Sequence, residues 1–418
     1  MFKLLRLREP LLRFHRYNSE IQSDIIRYKP YSFSENIEAH VKVVYPPMIN
    51  RGVNYFINIL ENGNDQWPFY TGINSAFNCF LDFSEEEVRS KLTPSDIEDL
   101  INTSEEDILV IFNEDFEDIW RLKAYAKLKN KRLQLVRIPI FEHRVLRGTG
   151  STRSMYLLNF GVQLYSKANG TPWILERRTD EYEFVREDSL ILGLSFGKTD
   201  GDIYYGVAQV IDLYGMTLRF EIFDAGYSPT DGYYIPYEEM ERLIKKVQEY
   251  YSRTTGTELR NVYIYKSSQF IDEEERAVST SLGEDVNYYL VHVKTSGLSI
   301  RGYDKSDERY CISRRTVLMD SDRKWCTLWT TGNLGTRRHQ LGTPKSVEIN
   351  VSTNSNENSE EVLKHISFQT LALTKIDWEH ANWNVRKPVV FKYSNKGVKI
   401  CRYLPHNVIR GLDVRDLM

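Results

Sequence analysis

Two patterns in this sequence have residue types and spacings that could do chemistry. Gly193-Leu194-Ser195-Phe196-Gly197 carries the G-x-S-x-G spacing of a hydrolase nucleophile elbow, where a serine hydroxyl is presented on a sharp turn between a strand and a helix. That chemistry needs the helix directly after the serine, whereas Lys198-Thr199-Asp200-Gly201 reads as a turn into another strand. Gly197-Lys198-Thr199 ends like a phosphate-binding loop, but the glycine such a loop needs five positions earlier is Leu192. The eight histidines fall in no H-E-x-x-H motif and no zinc-ligand spacing. The second pattern is cationic. At helical spacing Ile119, Lys123 and Lys127 share one face, with Trp120 adjoining it. Lys123, Gln134 on the next strand and the later Lys167 would make a compact phosphate socket, the lysines supplying point charges and the glutamine a directed amide donor.

These residues need elements to position them. Residues 41–45 and 107–112 read as strands, 116–129 as a helix and 133–140 as a strand, which predicts a βαβ unit in a small parallel sheet. Ligands of such sheets sit beyond the carboxyl ends of the strands, near helix N-termini. After Gly170-Thr171-Pro172-Trp173 come consecutive strands, 189–193, 203–213 and 216–223, broken by Asp200-Gly201 and Tyr214-Gly215. A helix over 236–252, strands over 261–265 and 285–293 and a helix over 360–372 complete the order of a ribonuclease-H-like α/β domain. The boundary is placed near residue 170, giving domains at 41–170 and 171–418 after a basic segment at 1–40. Residues 1–17, with Lys3, Arg6, Arg8, Arg13 and Arg16 among leucines, predict an amphipathic helix packed on the protein or a partner. They contain no apolar stretch long enough for a signal peptide or a membrane span.

Composition is that of a globular protein with room for two domains: 418 residues, 41% hydrophobic and 27% charged. Four cysteines without a CxxC pair suit a reducing compartment. The net charge of −3 taken alone argues against a nucleic-acid binder, but it conceals strong segregation. Residues 82–118 carry a net −12, whereas 121–178 carry +11, 294–345 carry +6 and 386–415 carry +7. Three basic stretches could converge on one cationic surface suited to a phosphate backbone.

At these residues the chain resembles a short prokaryotic Argonaute, built only of a MID and a PIWI domain. Leu122-Lys123-Ala124-Tyr125, Gln134, Val162-Gln163-Leu164-Tyr165-Ser166-Lys167 and Pro172-Trp173-Ile174-Leu175 resemble, in order and approximate spacing, the motif with which archaeal members grip a guide 5′-phosphate and begin PIWI. Ser346-Val347-Glu348-Ile349, Leu373-Thr374-Lys375-Ile376-Asp377-Trp378 and Lys387-Pro388-Val389-Val390 are similar to signatures of the PIWI end, so the likeness runs from residue 40 or so to Met418. It implies a Rossmann-like MID domain followed by a ribonuclease-H-like PIWI domain. It places Lys123, Gln134 and Lys167 on the guide 5′-phosphate. The family position covering the first guide base falls on Ile119, so base stacking is assigned to the neighbouring Trp120. A Mg²⁺ ion is implied between the phosphate and the carboxylate of Met418. Arg301, Arg314, Arg315, Arg337 and Arg338, taken from the charge runs, are candidates for backbone contacts.

The likeness departs at the catalytic acids. Slicing members hold two metal ions with carboxylates. Here the first acid falls on Ser195, the second on Ser267 and the fourth near Asn395, just after a Pro-Val-Val strand. The expectation is a protein that binds a guide and a complementary target without cutting, with RNA guides and DNA targets favoured by family habit. Its output would pass to a separate effector or accessory subunit in prokaryotic defence, contacted through the basic N-terminal segment or the acidic stretch 82–118. A cytoplasmic location is expected, with any membrane association supplied by a partner. Two other readings stay open: a nuclease of the same fold using Asp200, Asp202, Asp212 or Asp224, and a structural subunit with little nucleic-acid binding.

Overall fold

The computed structural model describes residues 2–418 except 64–69, 89–90, 180–181, 200–202, 297–299, 308–309, 335–342 and 382–384. Ile108–Asn113 (ILVIFN) is almost wholly apolar and buried at every position, as suits a strand covered on both faces. It lies third in a parallel four-stranded sheet ordered Cys79–Glu87, Ile37–Tyr45, Ile108–Asn113 and Arg132–Arg137. The chain crosses between these strands through the helices Asn50–Asn62, Pro94–Thr103 and Ile119–Leu128. The start of Pro94–Thr103 is fixed by a capping box: Thr93 Oγ1 accepts from the Asp96 amide, and Asp96 Oδ2 accepts from the Thr93 amide at 2.8 Å. The helix bearing Lys123 begins after Asp118, whose left-handed φ of 48° turns the chain sharply out of the preceding loop. The last strand stops at Arg137, short of the expected 140, because Pro139 sits in the first turn of a short helix, Ile138–Phe141.

The second half is a nine-stranded mixed sheet in the order Phe2–Arg6, Thr316–Asp320, Trp325–Trp329, Ser346–Thr353, Asn287–Lys294, Asn261–Lys266, Ser189–Lys198, Tyr204–Ile211 and Thr217–Asp224. Three strands, Ser189–Lys198, Asn261–Lys266 and Asn287–Lys294, are parallel, and the remaining pairings are antiparallel. Helices Tyr237–Thr255 and Asp272–Leu282 bury one face of it against Leu190, Leu192 and Ile264. Helices Ser359–Ala372 and Val389–Cys401 cover the other. This is the strand and helix order expected of a ribonuclease-H-like unit. The helix Gly150–Lys167 ties the halves together: Gln163 donates to the Glu379 carbonyl at 2.9 Å, and one continuous core runs from Val41 and Val110 through Leu164 to Ile191 and Val207.

Three expectations are corrected. Residues 1–17 form no amphipathic helix: Phe2–Arg6 is an edge strand paired antiparallel with Thr316–Asp320, and Leu12–Arg13 pairs with Ile174–Leu175. Its side chains alternate, Lys3 bonding Glu360 and Leu5 packing on the core while Phe2 and Leu4 stay exposed, and a two-residue period fits a strand. Lys387-Pro388-Val389-Val390 begins no strand, because Pro388 is the N-cap residue of the helix Val389–Cys401. Arg314, expected on a nucleic-acid backbone, is fully buried. Its Nε lies 2.8 Å from Glu9 Oε1, which also receives Lys375 Nζ at 2.6 Å, and its Nη2 donates to Thr374 Oγ1 at 2.7 Å. Burial alone raises the Glu9 carboxyl, but Arg314 and Lys375 outweigh it and hold it below its usual range. Glu9 thus locks the N-terminal segment onto the sheet as the shared counter-charge of two cations. Glu9→Gln leaves both without it and is expected to cost about 3–5 kcal/mol, read as a lowered midpoint in urea unfolding. A cost below about 1 kcal/mol would show that the triad is not a clamp.

Candidate nucleic-acid interface

Three lysines from three helices meet at one point. Lys167 ends Gly150–Lys167, Lys123 lies in Ile119–Leu128 and Lys396 in Val389–Cys401. Lys167 Nζ donates to the main-chain oxygen of Met418 at 3.1 Å, and Lys123 Nζ bonds the same oxygen and that of Leu417 at 3.2 Å. Lys396 Nζ reaches the Leu417 oxygen at 3.0 Å. The short helix Val414–Leu417 that brings these oxygens in has its own capping box, Asp413 with Asp416. The Asp416 carboxylate is held by Lys127 Nζ at 2.7 Å and Arg132 Nε at 3.6 Å. Arg132 also donates to the Lys167 carbonyl. Gln134, two residues along the same strand and therefore on the same face, carries an amide oxygen that is buried with no hydrogen-bond partner. Lys123 and Lys167 of the sequence-derived trio thus meet at Met418, and Gln134 lies on the strand face that carries Arg132. Lys396 was missed, although Lys392, Lys396 and Lys399 recur at helical spacing, because their segment was read as following a strand.

The neighbouring acids are shared among several cations. Asp377 and Glu379 take Lys392, at 2.6 and 2.7 Å, and Glu379 also takes Lys396. Burial pushes Lys123 down to about 8 and Lys396 down to about 7. Lys167, 2% exposed, is pushed well below the ordinary lysine value by burial first and then by Lys123 and Lys396. The three lysines gather desolvated positive charge around the main-chain oxygens of Leu417 and Met418, an arrangement that suits an anion. It does not fit Mg²⁺ on its own: the Met418 oxygen is already shared by two ammonium groups. Among the described residues no group of three or more His, Cys, Asp or Glu could hold a metal. Trp120 adjoins the site with Lys123 Nζ and Lys399 Nζ each 5.5 Å from its ring, while Ile119 is partly exposed at the helix start.

The positions expected to have lost acids lie at one end of the large sheet. The parallel register pairs Gly193 with Tyr265, which brings Ser195 level with Ser267. Ser195, Gly193 and Gly197 face the helix Val389–Cys401 in near contact. A Cβ on Gly193 would come within 2.5 Å of Val390 Cβ, one on Gly197 would collide with Val398, and Ser195 Oγ lies 2.7 Å from Ser394 Oγ. The G-x-S-x-G pattern is therefore a packing device. Near the expected fourth position, Ser394 faces Ser195, whereas Asn395, one residue on, is exposed. Beside Ser267, Lys266 is buried between Phe196 and Phe270 and pairs with Glu274 at 2.6 Å. Of the alternative acids, Asp212 caps a turn, accepting from the Tyr214 and Met216 amides at 2.8 Å, and Asp224 is the exposed last residue of an edge strand. Asp200 and Asp202 lie outside the described residues, as do Arg337 and Arg338. Arg315 is half-buried, its Nε without a partner, and Arg301 is exposed.

A Rossmann-like sheet joined to a ribonuclease-H-like sheet, with a cationic socket at the joint, is the MID–PIWI arrangement, and solved prokaryotic Argonautes share this fold. Clostridium butyricum Argonaute bound to a guide DNA and a 19-mer target DNA superposes with a TM-score of 0.72 at 15% identity, covering 98% of this chain and 54% of that one. Marinitoga piezophila Argonaute with a 5′-OH guide RNA gives 0.65 at 14%, covering 96% and 59%, and its complex with guide RNA and target DNA gives 0.63 at 14%, covering 94% and 57%. The chain therefore spans a little over half the length of these proteins. No model of a known protein family matches it, and no curated protein does. No helix among the described residues is long and apolar enough to cross a membrane.

A buried lysine serving a ligand rather than the fold is a cost to the free protein. Lys167→Met is expected to raise stability by about 1 kcal/mol, read as a higher midpoint in thermal unfolding. A lowered midpoint would make its bond to Met418 structural.

Proposed function

We propose that this chain is a short Argonaute-type MID–PIWI protein that binds a 5′-phosphorylated guide and its complementary target without cutting. The observation that carries the reading is the convergence of buried Lys123, Lys167 and Lys396 on the main-chain oxygens of Leu417 and Met418. A terminal phosphate would bring up to two negative charges and three acceptor oxygens to that point. One neighbour holds a 5′-OH guide; the buried lysines favour a phosphate here. The lysines would contact it directly, without a bridging Mg²⁺. Loss of cutting is supported by Ser195 and Ser394, buried hydroxyls bonded to each other where carboxylates would be needed. RNA as guide and DNA as target, and signalling to a separate effector in prokaryotic defence, complete the proposal.

The sign of the pH dependence follows from the lysines. Their values are lowered in the free protein, and a bound dianion raises them, so binding takes up protons. Preference for a 5′-phosphate over a 5′-hydroxyl guide is expected to be greatest near pH 7 and to decline as the pH rises past about 8, where Lys123 and Lys396 are uncharged. Lys123→Ala with Lys167→Ala should weaken 5′-phosphorylated guides on the order of 100-fold in fluorescence anisotropy, with 5′-hydroxyl guides little changed and the wild-type preference surviving EDTA. Equal loss for both guides would reduce the lysines to general backbone contacts. Incubation with a 5′-phosphorylated guide, a complementary target and Mg²⁺ or Mn²⁺ should leave the target intact. Specific cleavage opposite the middle of the guide would overturn the non-cutting reading.

A further inference from the structure

Strand Ser189–Lys198 carries a feature that the guide socket leaves unused. Phe196, on the face opposite Ser195, stacks on Tyr233 at 5.5 Å and 11°. Tyr233 meets Tyr204 edge-on at 5.9 Å and Tyr227 at 5.2 Å, and Tyr204 stacks on Tyr227 at 5.5 Å and 23°. The four rings come from two strand ends and the small hairpin Gly226–Ser228 with Gly232–Tyr234. They are not core: Tyr227 is 46% exposed and the other three are half-buried. Lys198 Nζ lies 5.7 Å from the Tyr204 ring. Ser268 Oγ donates to the Tyr233 carbonyl at 2.8 Å, which fastens the hairpin to the segment after Asn261–Lys266. The cluster therefore stands at the carboxyl end of two parallel strands, beside Ser195 and Ser267.

We propose that this aromatic cluster is a binding site for single-stranded nucleic acid, in which an unpaired base stacks on Tyr227 and Tyr204 and Lys198 supplies charge to the adjoining phosphodiester. The proposal rests on the reading that nucleic acid is the ligand of this protein, but it makes no use of the 5′-phosphate socket. Tyrosine offers a flat face that any base can use and loses little rotamer freedom on binding. The carboxyl ends of parallel strands are where ligands of such sheets bind. The hairpin's own acid is engaged locally: Asp231 Oδ2 accepts from the Ser228 and Thr230 hydroxyls at 3.0 and 2.8 Å. Exposed tyrosines also suit proline-rich peptides, and the lysine on the stack favours the phosphodiester over them.

The test uses the full chain and a labelled 5′-hydroxyl oligothymidylate of about twelve nucleotides, a length within the usual span of one such site. Tyr204→Ala with Tyr227→Ala is expected to weaken binding about tenfold or more, whereas the two Phe variants together stay within about twofold of wild type. Tyr227→Ala alone, at an exposed position, serves if the double variant does not fold. A 4-thiothymidine oligonucleotide should crosslink to the Gly226–Tyr234 hairpin. Wild-type affinity in the Ala variants, an equal loss in the Phe variants, crosslinks elsewhere, or loss only of proline-rich peptide binding would each overturn the proposal. A tyrosine-dependent oligothymidylate affinity with no 5′-phosphate preference would sink the guide reading and leave this one standing; the converse result would do the reverse.

Discussion

The helix Val389–Cys401 approaches the strand Ser189–Lys198 so closely that a Cβ at Gly193 or Gly197 would collide with Val390 or Val398, and between them Ser195 bonds Ser394. Much of the remaining structure depends on that distance. A close approach excludes larger side chains, and carboxylates with bound metals are larger than two hydroxyls. It also fixes the azimuth of the helix. With Val390, Ser394 and Val398 turned to the sheet, Lys396 and Lys399 are turned toward the smaller domain, one reaching the Leu417 carbonyl and the other the Trp120 ring. One packing contact thus sets both the seam at Ser195 and the direction in which Lys396 and Lys399 project.

The electrostatics of the socket follow from where acids are and are not. Asp416 is engaged by Lys127 and Arg132, and Asp377 and Glu379 by Lys392 and Lys396. Lys123 and Lys167 bond the main-chain oxygens of Leu417 and Met418, and the charges around them do not offset the cost of their burial. The protein holds these side chains in place at the expense of their basicity. The Glu9, Arg314 and Lys375 triad is the contrast: a buried cluster with a carboxylate at its centre, whose business is the fold.

Sequence periodicity made the parallel sheet, the three hairpin strands and both domain classes legible, because buried strands such as Ile108–Asn113 are apolar runs with few other uses. Lys123, Gln134 and Lys167 could be named because their types and order were telling. What stayed hidden depended on long-range partners. Arg314 reads as one more surface arginine until Glu9, some three hundred residues away, lies beside it. Phe2–Arg6 is helical by composition and becomes a strand only because Thr316–Asp320 offers an unpaired edge. Pro388 is as acceptable before a helix as near a strand, so the identity of Ser394 as the partner of Ser195 turned on a boundary that proline alone does not settle.

The edge strand has a consequence for how the chain reaches this structure. Phe2–Arg6 and Glu9 find partners in residues synthesised far later, among them Thr316–Asp320, Glu360, Arg314 and Lys375. Until those residues are made, the segment has no edge of the large sheet to join. The small parallel sheet can form from local contacts while the segment waits; the large sheet closes on one side only when its last strands have emerged. Docking of Phe2–Arg6 therefore waits for the strand it pairs with.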